Sequence, residues 1–111
     1  NARMSRLITS PQELNQVVSS RPRAMVLFYA SWCPFCQEFL PYFEKAAVGH
    51  GQDMLRFLVD DAEEAIGAFR IDIYPAVLFF ESGALTKRLD GRAGIGLSER
   101  QLQAFVASCK A

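Results

Sequence analysis

Apolar positions along the chain recur at two spacings, and the alternation between those spacings sets out an order of strands and helices. Leu7-Ile8 is read as a short first strand. "SPQEL" then marks a helix start: Ser10 can cap it, Pro11 fits the first helical position, and Glu13 is placed to complete a capping box. Leu14, Val17 and Val18 give this helix one apolar face. Ala24 to Ala30, "AMVLFYA", is a nearly unbroken apolar run and predicts a strand buried on both faces. From Pro34 to about Val48 the period turns helical, with Phe39, Leu40, Phe43 and Ala47 on one side. Pro41 interrupts that helix and should bend it, and Gly49 and Gly51 should end it.

Met54 to Asp60 predicts a second buried strand, Ala62 to Arg70 a short helix, and Ala76 to Glu81 a third strong strand. Ser82-Gly83 makes a turn, and Leu85 to Leu89 alternates like an exposed or edge strand. Gly91, Gly94 and Gly96 predict a flexible stretch. Ser98 with Gln101 opens a last helix whose inner face carries Leu102, Phe105, Val106 and Cys109. The order is that of an α/β sandwich, parallel strands first and a hairpin near the end.

Composition narrows the function classes. The length of 111 residues fits one domain spanning 1–111, and 50% hydrophobic residues suffice for one core. Residues 1–6 are expected to be flexible or an appended remnant, with Asn1-Ala2 the part that reads as foreign. The 12 basic and 12 acidic residues leave no net field to gather nucleic acid or an anionic membrane. No apolar run approaches the roughly 18 residues that span a bilayer. Three cysteines are too few for a disulfide scaffold, so cysteine chemistry is expected to be local.

That chemistry falls in "YASWCPFC", Tyr29 to Cys36. Cys33 stands just after the first buried strand, and Pro34 suits the first position of the helix that follows. A sulfur there faces unpaired N–H groups and the positive end of the helix dipole, which favour a thiolate. Cys36, one turn further on, shares the helix face and lies within reach for a disulfide. Cys33 is therefore expected to attack a disulfide and Cys36 to resolve the mixed disulfide that forms. Two other readings compete. A structural staple fails because so small a loop hardly constrains the unfolded chain. A zinc site of Cys33, Cys36, His50 and Cys109 has four ligands but lacks a second close ligand pair.

"FYASWCPFC", the helix proline Pro41, Ile73-Tyr74-Pro75 and "LSERQL" together resemble the thioredoxin-fold disulfide oxidoreductases, over roughly Leu7 to Lys110. The resemblance implies the thioredoxin fold: a mixed sheet of four to five strands sandwiched by about four helices. It implies catalytic Cys33 and Cys36 and a cis Pro75 packed opposite them. It also implies substrate contacts from Trp32, Pro34, Phe35, Tyr74 and Pro75, with Tyr74 offering backbone groups to an extended substrate strand. No cofactor and no metal is implied. The partners are protein dithiols or disulfides and a reductase or oxidant that recycles the pair, without nucleic acid or membrane; the chain is expected to be a monomer. Its compartment is the cytoplasm, or a periplasmic or other extracytoplasmic space if an upstream signal or anchor was removed. A second reading keeps the fold without turnover, as a thioredoxin-like binding module of a larger protein.

The chain departs from thioredoxin itself at three points. Pro34-Phe35 replaces Gly-Pro between the cysteines, an order closer to glutaredoxins and periplasmic disulfide donors. Leu27 stands where thioredoxin has a buried acid, leaving deprotonation of Cys36 to water or Glu38, and Arg56 matches a nearby lysine. Tyr74 replaces a small or β-branched residue before the proline. Elsewhere, Trp32 is expected on the surface rather than in the core, and Phe35 is divided between substrate contact and helix packing. Asp60-Asp61 and Glu63-Glu64 are expected to be solvated loop and cap residues, and His50 an exposed loop residue. Cys109 is expected to be a core thiol rather than a regulatory one, and Gly91 to lie beside the substrate groove. The Pro34-Phe35 dipeptide predicts a potential less reducing than thioredoxin's, roughly −250 to −150 mV. Equilibration against glutathione buffers measures it, and a value below about −270 mV contradicts the effect assigned to the dipeptide.

Overall fold

Strand propensity in the two longest apolar runs sets the frame, because a run that is apolar at every position has to be covered from both sides. In the computed structural model, which describes residues 5–50 and 53–109, the elements follow in the expected order. They are β1 (Arg6–Ile8), α1 (Pro11–Ser19), β2 (Arg23–Tyr29), α2 (Pro34–Ala47), β3 (Met54–Leu58), a 3₁₀ helix (Glu63–Phe69), β4 (Ala76–Glu81), β5 (Ala84–Asp90) and α3 (Glu99–Ser108). The strands form one mixed sheet in the order β1-β3-β2-β4-β5. β1 and β2 both run parallel to β3, whereas β4 is antiparallel to β2 and to β5.

The period of two along β2 divides the core. Ala24, Val26 and Phe28 face one side, with Leu14, Val17 and Val18 of α1, Leu55 and Phe57 of β3, and Leu78 and Phe80 of β4. Met25 and Leu27 face the other, with Phe39 and Phe43 of α2 and Leu102 of α3. Burying each of these large side chains contributes about 1.5–3 kcal/mol relative to leaving it in water. Three α-helices and the 3₁₀ helix over Glu63–Phe69 are among the described segments that cover the two faces.

Several local expectations are met in altered form. Ser10 caps α1 by accepting from the Glu13 N–H at 3.0 Å. The Glu13 carboxylate, however, accepts from Arg6 at 2.7 Å rather than closing a capping box. The full reciprocal box is present at Ser98 and Gln101. The short helix expected after β3 is present and winds as 3₁₀, with Gly67 inside it and Arg70 ending it in the left-handed region at φ 55°. β3 stops at Leu58 and not at Asp60, because the Asp60 side chain turns to Ser31. The stretch with Gly91, Gly94 and Gly96, expected to be flexible, is a turn closed by an antiparallel bridge between Arg92 and Gly96.

The first four residues, Gly51 and Lys110 lie outside the described residues, so the expectations placed on Asn1-Ala2 and on Gly51 do too. Ser5 and Arg6, expected with them to be flexible, instead fall inside the fold: Ser5 is buried and Arg6 opens β1. A polar clasp holds Ser5. Its N–H and Oγ donate to Glu44 at 3.0 and 2.9 Å. Its carbonyl accepts from Arg56 at 2.6 Å, and Arg56 pairs with Glu44 at 3.2 Å. Both charged side chains are mostly buried, 11% and 13% exposed. Arg56→Ala removes the cation from this clasp while the Ser5 donors to Glu44 remain, at an expected cost of about 3 kcal/mol. Urea unfolding reads this as a lower midpoint at an unchanged slope.

Candidate active site

Parallel pairing of β2 with β3 brings the C-terminal ends of both strands to one edge of the sheet, and the dithiol follows directly from β2. Cys33 is the N-cap of α2, with an extended backbone at φ −96° and ψ 115°, and Pro34 is the first residue of the helix. The Cys33 carbonyl accepts from the N–H groups of Cys36 and Gln37, each at 3.1 Å. No side chain caps this helix end, so its first amide dipoles are left for the sulfur. Both cysteines are free thiols. Cys33 is 7% exposed and its Sγ donates to the Tyr74 carbonyl at 3.7 Å, whereas Cys36 is 1% exposed. Burial is the main cause that pushes the Cys36 thiol from 9.0 up to about 12. A backbone hydrogen bond from Ala30 opposes that rise, and the neighbouring Cys33 and Asp60 add to it.

The Tyr74–Pro75 peptide is cis, the isomer the resemblance implies. Trp32, 64% exposed, meets the half-buried Tyr74 ring edge-on at 6.2 Å. Pro34 is exposed and Phe35 half-buried, while Pro75 is buried. The seven residues singled out from the sequence therefore gather at one end of the sheet, with Pro75 behind Tyr74 rather than at the surface. Gly91 stands where the resemblance puts a groove glycine: its N–H donates to the Pro75 carbonyl at 3.0 Å, and a Cβ there would sit 2.7 Å from that oxygen.

One network lay outside the sequence reading. The Ser31 N–H donates to Asp60 at 3.0 Å, its hydroxyl donates to the same carboxylate, and its carbonyl accepts from Gln37 Nε2 at 2.7 Å. The hydroxyl and N–H of Ser31 hold the Asp60 carboxyl below its ordinary range. Asp60 was expected to be merely solvated; it fixes the turn that leads into the dithiol. The signal available in the sequence was the parallel pairing, which makes the residues following the two strands neighbours. Beside this turn a cleft of about 360 Å³ reaches Cys36 between Tyr29, Leu40 and Leu58.

The four zinc candidates are not brought together. His50 and Cys109 line a cavity with Arg23, where β2 begins. Cys33 follows the other end of that seven-residue strand, about 20 Å away. Among the described residues no three His, Cys, Asp or Glu side chains converge as a metal would require. His50, expected to be exposed, is half-buried. Cys109 is a buried thiol pushed up by its burial, as expected of a core cysteine. Leu27 is fully buried at the position of the missing acid, and Glu38 is exposed.

A free dithiol opening a helix, opposite a cis X–Pro loop on this five-stranded mixed sheet, defines a thioredoxin-fold protein with a CxxC-type site. The family model described as thioredoxin matches residues 5–108, and the chain belongs to that family. It is 35% identical over 80 residues to a thioredoxin-like protein of Fusarium culmorum, spanning 68% of this chain and 66% of that protein. It is 35% identical over 88 residues to a thioredoxin of Mycoplasmoides gallisepticum, spanning 78% of this chain and 85% of that one. The solved thioredoxin of Malassezia sympodialis shares the fold at a TM-score of 0.82 and 23% identity, covering 99% of this chain and 94% of its own.

The elevated Cys36 thiol has a consequence for stability. The folded reduced protein holds that proton more tightly than the unfolded chain does. The resulting stabilisation is whole below pH 9.0 and is lost as pH rises towards about 12. Urea midpoints of the reduced protein are expected to fall between about pH 9 and 11, and to fall less in Cys36→Ala. Equal slopes in the two proteins contradict the assignment of that loss to Cys36.

Proposed function

We propose that this chain exchanges disulfides with protein substrates, Cys33 attacking and Cys36 resolving. The contrast between the two cysteines carries the reading: Cys33 is the N-cap of α2, and Cys36, one turn inside the helix, is the more deeply buried and keeps its proton. The amide dipoles that open α2 favour negative charge on the Cys33 sulfur.

The Cys33 thiolate attacks one sulfur of a substrate disulfide. That S–S bond breaks, a bond from Cys33 to the substrate forms, and the departing substrate sulfur takes up a proton. Cys36 then gives up its proton and attacks the Cys33 sulfur. The mixed disulfide breaks, the Cys33–Cys36 bond forms, and the second substrate sulfur leaves as a thiol. Two electrons pass from the protein dithiol to the substrate. A reductase restores the dithiol; when an oxidant recycles the pair, the same steps run in reverse.

The substrate lies extended along Tyr74 and Pro75, against Trp32, Pro34 and Phe35, in the manner of an added strand. A docking module with little turnover is not favoured, because docking has no need of a second thiol beneath the first. Cys36→Ser is expected to accumulate mixed disulfides through Cys33, and Cys33→Ala to form none. The opposite pattern reverses the two roles. In insulin reduction by dithiothreitol the wild-type protein should exceed the uncatalysed rate at least about tenfold, and Cys33→Ala should fall to it.

A further inference from the structure

The 3₁₀ helix ends where the chain turns towards the dithiol. Phe69 closes it, packed against Phe28 and Phe80 at ring separations of 5.6 and 5.7 Å. Arg70 follows in the left-handed region at φ 55°, a conformation unfavourable for a residue with a side chain and kept only where its surroundings hold it. The hold comes from β5. Arg88 Nη1 donates to the Phe69 carbonyl at 2.8 Å, and Nη2 donates to the Arg70 carbonyl at 3.3 Å. Asp90 in turn accepts from Nε at 2.8 Å and from Nη2 at 2.9 Å, a two-point pairing that fixes the plane of the guanidinium.

The same strand holds the far end of the segment. Asp90 stands opposite Ala76 in the β4–β5 ladder, and the Gly91 N–H donates to the Pro75 carbonyl at 3.0 Å. Residues 70–75 form neither helix nor strand, so they hang as a loop between two attachments to β5. Tyr74, whose carbonyl accepts from Cys33 Sγ at 3.7 Å, lies within that loop. An arginine can serve both carbonyls at the first attachment because its donors form a rigid planar fork; an ammonium group is a single point. We infer that Arg88 is a positioning residue for the exchange reaction: through the Phe69 and Arg70 carbonyls it sets the loop in the shape that receives an extended substrate strand. This rests on the reaction proposed above, and it adds to that reaction a residue of β5 that the dithiol motif does not reveal.

The test compares Arg88→Ala and Arg88→Lys with the wild-type protein, each fully reduced, by following Trp32 fluorescence as the dithiol is oxidised. Two substrates are used: a disulfide-linked peptide, which has to lie along the loop, and a small aromatic disulfide, which does not. Arg88→Ala should raise the half-saturating peptide concentration about tenfold, since the substrate then orders the loop as it binds, and should leave the rate on the small disulfide unchanged. Arg88→Lys keeps the charge and should raise it about threefold. Urea unfolding checks that each variant is folded in the assay, and if Arg88→Ala is not, Arg88→Lys decides alone. A wild-type half-saturating concentration in the folded variants overturns the inference. So does an equal loss on both disulfides, which marks a general effect on the fold. A wild-type protein inert towards both disulfides instead removes the exchange reaction itself.

Discussion

The placement of one sulfur at the start of α2 depends on β2 being covered on both faces. Every interior position of this strand is apolar, so it can lie only between two other strands and beneath helices on both sides. β3 and β4 supply the neighbours; α1 with the 3₁₀ helix, and α2 with α3, supply the covers. With the strand pinned in this way, the chain that leaves it at Tyr29 emerges at one fixed edge. Five residues later α2 begins, with Cys33 as its N-cap. The start of that helix is as firmly placed as the core behind it.

The same edge gathers groups from four stretches of chain. β2 delivers Ser31 and Trp32, β3 delivers Asp60, the segment before β4 delivers Tyr74 and Pro75, and the segment after β5 delivers Gly91 and Gly96. Ser31, Tyr74, Pro75, Gly91 and Gly96 are held by hydrogen bonds, and Trp32 by its edge-on contact with Tyr74. This division suits a site whose rim has to receive a polypeptide: the core fixes the elements, and hydrogen bonds fix the loops between them. Both thiols are buried, Cys36 the more deeply, and its burial holds the proton on that sulfur.

Replacement of a buried acid by Leu27 changes what the interior can do. The side chain is fully buried among Phe39 and its neighbours, so the position adds apolar packing in place of a proton acceptor. The ionic interaction of this region lies elsewhere, where Arg56 and Glu44 join α2 and β3 to the segment before β1. There it fastens the N-terminal edge of the sheet, remote in function from the dithiol.

Local pattern alone determined the order of elements, the double-sided burial of β2, the caps at Ser10 and Ser98, and a dithiol at a strand-to-helix junction. These depend on residues within one or two turns of each other, whose spacing is visible in the chain. One exception was also local: Glu13 bonded to Arg6 instead of its own helix. Tertiary structure alone decided the Ser31–Asp60 bond, the Cys33–Tyr74 contact and the Arg56–Ser5 clasp, whose partners stand 29, 41 and 51 residues apart. It also decided the fit of Gly96 against Phe35 and the separation of His50 and Cys109 from the other two cysteines. Such pairs follow from which strands are neighbours and in what register. That choice is made by the burial of whole faces, and the spacing of residues along any one segment does not reveal it.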